Sequence, residues 1–417
     1  MALIPDPLIA IIAAISLLVV LLYRRVNLGI ALTATALFLA ALALDWPTIP
    51  SVIYETTVDL PTVSVVLATF GIMLLSQLYK ETAIINTLSE SIGRLINNPK
   101  IVLCVLPAVI GLLPVAGGAL MSAPLVDTEA EKLGLKPDKK AYVNLWFRHT
   151  IFPVYPLSPP VITTALLTGV SIPLIILRQI PVVVVMVAIG YVIGFWKISK
   201  VKNGKETDLK PDKSSDFKNF MISFSPILTT IVIAIFLGLS GFDKPLLGFD
   251  VVLAILIGLA IMITISKIKF TVFTRPFKNW GIYGITLAAY GAFLLRNIMV
   301  RAGISAVFSS FVANGSVNII LFLTVAPAVL GLLTGSPQGG VAVSVSILSG
   351  MLSLPFSVRV AALVYISAYL GYTIAPTHLC FTFTADYFKC SLGKMYKYVL
   401  PSFLVTFPIA LLVYFLF

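Results

Sequence analysis

The chain holds two histidines, and both sit beside breaks in apolar sequence. His149 follows Arg148 in NLWFRHTIFPVYPLSPP (144–160), and His378 ends LGYTIAPTH (370–378). Either imidazole can carry a proton near neutral pH or serve as a packed, hydrogen-bonded ring. The Arg148 guanidinium can grip a carboxylate through two parallel hydrogen bonds. It can equally anchor the inner end of a membrane helix by snorkelling to the interface. Neutral polar groups surround them: Asn144 and Ser158 in the first stretch, Thr373 and Thr377 in the second. Two more Pro/Gly-broken stretches add to the set. GLLPVAGGALMS (111–122) offers Pro114, Gly117, Gly118 and Ser122, and LTGSPQGG (333–340) offers Thr334, Ser336, Gln338 and Gly339. The hydroxyls can complete the oxygen shell of a sodium ion or bind substrate oxygens, or they can bond back to their own helices.

This inventory suits binding better than catalysis. No HExxH or GxSxG element and no nucleotide-binding P-loop occurs, so the usual metalloprotease, hydrolase and ATPase chemistries lack their parts. Cys104, Cys380 and Cys390 have no metal or redox spacing and read as ordinary apolar residues. The sequence reads as a non-enzyme without a cofactor or metal centre, with sodium or a proton as the candidate coupling ion.

The elements that position these residues are membrane helices. Of 417 residues, 59% are hydrophobic and 11% charged, against about 25% charged in soluble domains. Spans are expected near 7–23, 27–44, 62–79, 141–167 (interrupted), 173–196, 221–240, 249–266, 281–300, 359–385 (interrupted) and 398–416, with 99–126 and 319–350 broken at their centres. Arg24 and Arg25 follow the first apolar run rather than precede it, which marks a retained span and not a cleaved signal. The net charge of +12 comes without a basic, aromatic-interleaved helix, so nucleic acid is not the expected partner. The lipid bilayer is.

The chain repeats itself. Residues 71–114 align with 291–334 without a gap, and 14 of 44 positions are identical, among them Gly71/Gly291, Asn98/Asn318 and Pro107/Pro327. Later, Pro156 meets Pro376. Coincident Pro, Gly and Asn are hard to obtain from apolar composition alone. The halves are 1–196 and 220–417, joined by a polar linker, 197–219, with seven lysines. Lysine-rich loops stay in the cytoplasm. Each half has five spans, an odd number, so the second half must enter the membrane inverted. Loop charge agrees: Arg24, Arg25, Lys80, Arg94, Lys100, Lys132, Lys136, Lys139, Lys140, Lys267, Lys269, Arg275 and Lys278 fall inside, while 45–61 carries no Lys or Arg. Both termini are then outside, on a multi-pass protein of the cell membrane.

Pro removes an amide hydrogen and Gly loosens a helix. Stretches 99–126 and 319–350 therefore read as hairpins that enter and return, and 141–167 and 359–385 as broken spans. Unwound backbone at membrane depth is tolerated where it lines protein or a water-filled cavity. Its free amides and carbonyls can hold an anion and a cation. No central Asp or Glu lies in a span, which favours an anionic or neutral substrate.

The words GLLPVAGGALMSAPLV (111–126), NLWFRHTIFPVYPLSPP (144–160) and APTHLCFTFTADYF (375–388) resemble the family catalogued as domain of unknown function 401, prokaryotic ten-helix membrane proteins. That family is similar to a branch of the ion-transporter superfamily with gluconate permeases, citrate and dicarboxylate symporters and arsenite permeases. The resemblance implies inverted repeats, one re-entrant hairpin per half, a site between hairpin tips and broken helices, and often a homodimer moving by an elevator. Sodium symporters of that group carry Ser-Asn-Thr at the tips, where this chain has PVAGGA and TGSPQGGVA. The expectation is an all-α polytopic membrane protein of two inverted five-helix repeats, acting as a secondary transporter for a small organic anion. Gly117, Gly118, Asn144, Arg148, Ser158, Ser336, Gln338, Gly339, Thr377 and His378 would meet the substrate. Pro114, Ser122, Thr334 and Thr373 would meet the coupling ion. The alternative is an anion channel or chloride-type exchanger, which also aims helix ends at an anion.

Overall fold

The computed structural model describes residues 3, 6–82, 84–114, 118–198, 213–241, 248–304, 306–307, 310, 318–349, 352 and 354–416. Among these there is no strand. The helices used below are α1 (Pro7–Tyr23), α2 (Leu28–Ala43), α3 (Ile49–Val58), α4 (Leu60–Glu81), α5 (Ile84–Leu95), α6 (Pro99–Gly111), α7 (Ala119–Lys132), α8 (Pro137–Thr150), α9 (Pro159–Thr168), α10 (Ile172–Phe195), α11 (Lys213–Leu239), α12 (Phe249–Ser266), α13 (Trp280–Arg301), α14 (Ile319–Thr334), α15 (Pro337–Leu348), α16 (Val358–Thr373), α17 (Leu379–Tyr387) and α18 (Leu392–Leu416).

Among the described residues, seven stretches are long and apolar enough to cross a membrane: α4, the broken pair α8–α9, α10, α11, α12, α13 and α18. The first two predicted spans form helices of 17 and 16 residues, each roughly 25 Å at about 1.5 Å per residue. The polar linker is shorter than expected, because α11 begins at Lys213. Asp216 in its first turn is buried and pairs with Arg94 at 3.6 Å. The run 45–61, expected as a bare loop, contains α3. The amphipathic α5 lies in another expected loop and packs on α11.

Caps and crossings recur at the same offset as the sequence match. Asn98 accepts the Lys100 amide to start α6, and Asn318 accepts the Ile320 amide to start α14. Asp59 and Asn279, 220 positions apart, cap α4 and α13. These side chains satisfy amides that the first helical turn leaves free. Gly111 and Gly331 also match. A β-carbon on Gly111 would stand 2.6 Å from the Arg148 carbonyl oxygen, and one on Gly331 would stand 2.0 Å from that of Ala368. Only a hydrogen fits there, which is why α6 can lie on α8 and α14 on α16.

The packing partners pair up likewise. α4 packs on α12 and α13 on α2; α1 packs on α2 and α11 on α12; α10 faces α18. Across the halves, α15 packs against α9 and α7 against α17. The helix that follows the break in each Pro/Gly-broken stretch, 99–126 and 319–350, is thus seated on the helix that follows a break in the distant part of the chain.

Candidate binding site at the broken helices

The first break spans Ile151 to Ser158. Pro153 and Pro156 lie within it, and Pro159 opens α9, so α8 cannot run on. The second break lies between Thr373 and Leu379 and holds Pro376. Carbonyls freed at the first break are taken by tyrosines of α16. Tyr365 Oη donates to the Phe152 carbonyl at 3.1 Å, and Tyr369 Oη donates to that of His149.

Arg148 is 1% exposed, near the end of α8. Its Nη2 donates to the Leu113 carbonyl at 3.0 Å, next to the first tip. Nε and Nη1 are buried with no hydrogen-bond partner among the described residues. Arg148 lies eleven positions beyond Pro137, roughly 16 Å along the helix. Its guanidinium ends inside protein.

Asn144 is buried. Its Oδ1 accepts from Ser122 Oγ at 2.6 Å and its Nδ2 donates to the Ala119 carbonyl at 2.9 Å, which ties α7 to α8 just beyond the first tip. Gly118 is buried directly before α7, Pro114 is half-buried, and Gly117 lies outside the described residues. Ser158 is buried at the start of α9.

At the second tip Gly335 adopts a left-handed conformation (φ 58°) and ends α14. Ser336 Oγ caps α15 through the Gly339 amide. Gln338 is buried and its Nε2 donates to Thr163 Oγ1 on α9 at 3.1 Å, so this tip is bonded to the far side of the first break. A β-carbon on Gly335 would meet Thr377 Oγ1 at 2.5 Å, which places the exposed Thr377 beside the tip. Thr334 Oγ1 donates to Leu330 and Thr373 Oγ1 to Leu370, both within their own helices.

The two histidines come together from opposite halves. Their ring centroids are 4.7 Å apart in an edge contact. Tyr372 Oη lies between them, 3.3 Å from His149 Nε2 and 2.6 Å from His378 Nε2. Among the described residues no hydrogen bond joins Arg148 to Gln338. The groups expected to meet substrate therefore form two linked clusters: Arg148 and the histidines at the crossing of the broken helices, and Gln338 with Thr163 at the second tip.

Sequence reasoning passed over Tyr365, Tyr369, Tyr372, Thr163 and Cys380. The tyrosines carried a readable signal, since they stand at i, i+4 and i+7 on one face of α16 immediately before the break. Thr163 and Cys380 carried none, because their partners are far away in the chain.

The family profile described as protein of unknown function (DUF401) matches residues 7–417, so the chain belongs to that family. A solved structure, that of the YdaH transporter of Alcanivorax borkumensis, described as having an unusual topology, is similar in fold. It superposes with a TM-score of 0.62 at 15% identity and covers 90% of each chain. No curated protein sequence matches. The chain is thus a multi-pass membrane protein with a transporter fold.

Proposed function

We propose that this DUF401 member is a secondary active transporter that carries a small organic anion, such as a carboxylate or sugar acid, coupled to sodium or protons. Arg148 carries the reading. A buried cation without a counter-charge costs several kcal/mol, and two guanidinium nitrogens await a partner beside the first break. Nη2 has a second hydrogen, which leaves one two-point fork open to a carboxylate.

Alternating access needs two arrangements of matched parts. The shared caps, the matched Gly111 and Gly331, and the crosswise seating of α7 and α15 support two repeats, each with a hairpin and a broken helix. The odd span count and loop charges support their inversion, with both termini outside and the linker inside. His149 and Tyr369, 220 positions apart, hydrogen-bond to each other. Equivalent positions that touch must lie near the axis relating the halves, where a site can face either side in turn. Pro114, Ser122, Thr334 and Thr373 remain the candidate ligands for the coupling ion: Pro114 offers its backbone carbonyl, and a hydroxyl that donates to a carbonyl, as in the other three, keeps its lone pairs for a cation. The similarity to the ion-transporter superfamily extends the reading to a homodimer.

The test is thermal stability of the purified protein against carboxylates, sugar acids and oxyanions, with and without sodium. A ligand that binds only the folded state stabilises it by about 2.7 kcal/mol at a hundred times its Kd. One anion class raises the melting temperature in the wild type, and Arg148→Met abolishes the rise. Shifts confined to neutral or cationic solutes would overturn the anion assignment.

A further inference from the structure

One ring nitrogen of His149, one of His378 and the sulfur of Cys380 lie within 4.8 Å of one another, and all three residues are buried. His149 comes from α8, His378 from the second break and Cys380 from the first turn of α17. Sequence spacing gave no hint of this, because 229 positions separate His149 from His378.

The hydrogen bonds constrain which ring nitrogens carry a hydrogen. His149 Nδ1 stands 2.6 Å from the Leu145 carbonyl. A carbonyl only accepts, so Nδ1 carries the ring hydrogen and Nε2 keeps its lone pair. Tyr372 has one hydroxyl hydrogen and two imidazole neighbours. With both contacts made at once, it donates to His149 Nε2 across the longer one and accepts from His378 Nε2 across the shorter one. His378 Nδ1 is then unprotonated, and it is buried with no hydrogen-bond partner. Each ring is held by a hydrogen bond from one nitrogen, His149 Nδ1 to Leu145 and His378 Nε2 to Tyr372; His378 Nδ1 has a lone pair to give at once, and the His149 Nε2 lone pair is released when the Tyr372 hydroxyl turns its hydrogen away from the long 3.3 Å contact. Metal-binding histidines are oriented in this way.

We propose that His149, His378 and Cys380 form a binding site for a single copper(I) ion at the crossing of the broken helices. Two imidazoles and a thiolate are soft to borderline donors that suit copper(I) and zinc, and charge decides between them. No Asp or Glu belongs to this group among the described residues, so the thiolate is its one anionic donor. Copper(I) with one thiolate is neutral, whereas zinc(II) would leave a net positive charge beside Arg148 in a buried place. Metal–ligand bonds of about 2.0–2.3 Å require the donors to close by roughly an ångström, within reach of side-chain rotation. Binding releases the thiol proton to solvent. The site does not depend on the transport reading.

The experiment is anaerobic titration of the purified protein with copper(I) against a chromophoric copper(I) chelator, followed by X-ray absorption at the copper edge. The expected result is one equivalent per chain, held at least tenfold more tightly than in Cys380→Ser, with one sulfur in the copper shell. Cys104→Ser/Cys390→Ser, which leaves Cys380 as the sole cysteine, retains both results. His378→Gln loses the tight equivalent, and its copper-free melting temperature reports whether it is folded. Equal copper(I) retention in wild type and Cys380→Ser, a copper shell without sulfur, or tighter binding of zinc than of copper(I) would each overturn the assignment.

Discussion

Replacing Arg148 with methionine should move the stability of the empty protein and its anion affinity in opposite directions. The side chain is 1% exposed, bonded once to the Leu113 carbonyl, and otherwise without a partner among the described residues. Methionine is unbranched and apolar, follows the arginine stem, stops short of the guanidinium position and removes a buried charge. Replacements of buried charges by apolar residues of like volume are neutral or stabilising by about 1–4 kcal/mol. Loss of the Leu113 contact offsets about 1 kcal/mol of that. The net expectation without ligand is a melting temperature unchanged or raised by several degrees. With ligand the sign reverses. Losing one partner of a buried, hydrogen-bonded charge pair costs about 2–5 kcal/mol, which weakens anion binding by about 30-fold to several-thousand-fold. Both quantities come from one assay, melting temperature against anion concentration. If Arg148→Met melts well below the wild type yet binds the anion unchanged, Arg148 is a structural strut and the reasoning fails.

Other perturbations test the frame that holds the site. Gly331→Val forces a side chain into backbone that already stands 2.0 Å from the β-carbon position, and should cost more than about 2 kcal/mol as α14 and α16 separate. Gly93→Ala, on α5 with nothing within 4 Å, should instead gain up to about 1 kcal/mol of helix propensity; equal effects in thermal melts would contradict the packing argument. Asn98→Ala and Asn318→Ala each remove a side-chain cap and should each cost about 1 kcal/mol, and a loss at only one of them would argue against equivalent roles. Gln338→Leu strands the buried Thr163 hydroxyl at a cost of about 1–3 kcal/mol. The double variant with Thr163→Val should recover most of it, and strictly additive losses would show that the contact between second tip and first break is not energetically real.

What was legible followed from local chemistry. Composition announced the bilayer, and Pro153, Pro156 and Pro376 announced the breaks, because a missing amide hydrogen acts wherever it stands. Asn98 and Asn318 were visible only as coincidences in a repeat; the structure gives them work as helix caps. Long-range partnerships were not legible. Nothing in the sequence showed that Asn144 would bond to Ser122 and Ala119. Arg148 looked equally like an interfacial anchor, because a sequence gives depth along a helix but not which side faces protein. Cys380 looked like any apolar residue until the fold brought it to two histidines. The run 45–61 looked like loop because α3 is too short and too polar to span.

The central claim is tested most directly by counterflow in proteoliposomes. Vesicles are preloaded with an unlabelled carboxylate or sugar acid chosen by its stabilisation of the protein, and uptake of the labelled compound is followed. A carrier takes up label faster when the same solute is inside, saturates with concentration, and loses both properties in Arg148→Met. Flux that ignores the internal solute, rises linearly with concentration and far exceeds about a thousand ions per second (the upper end of common turnover rates) would contradict alternating access and make the protein a channel.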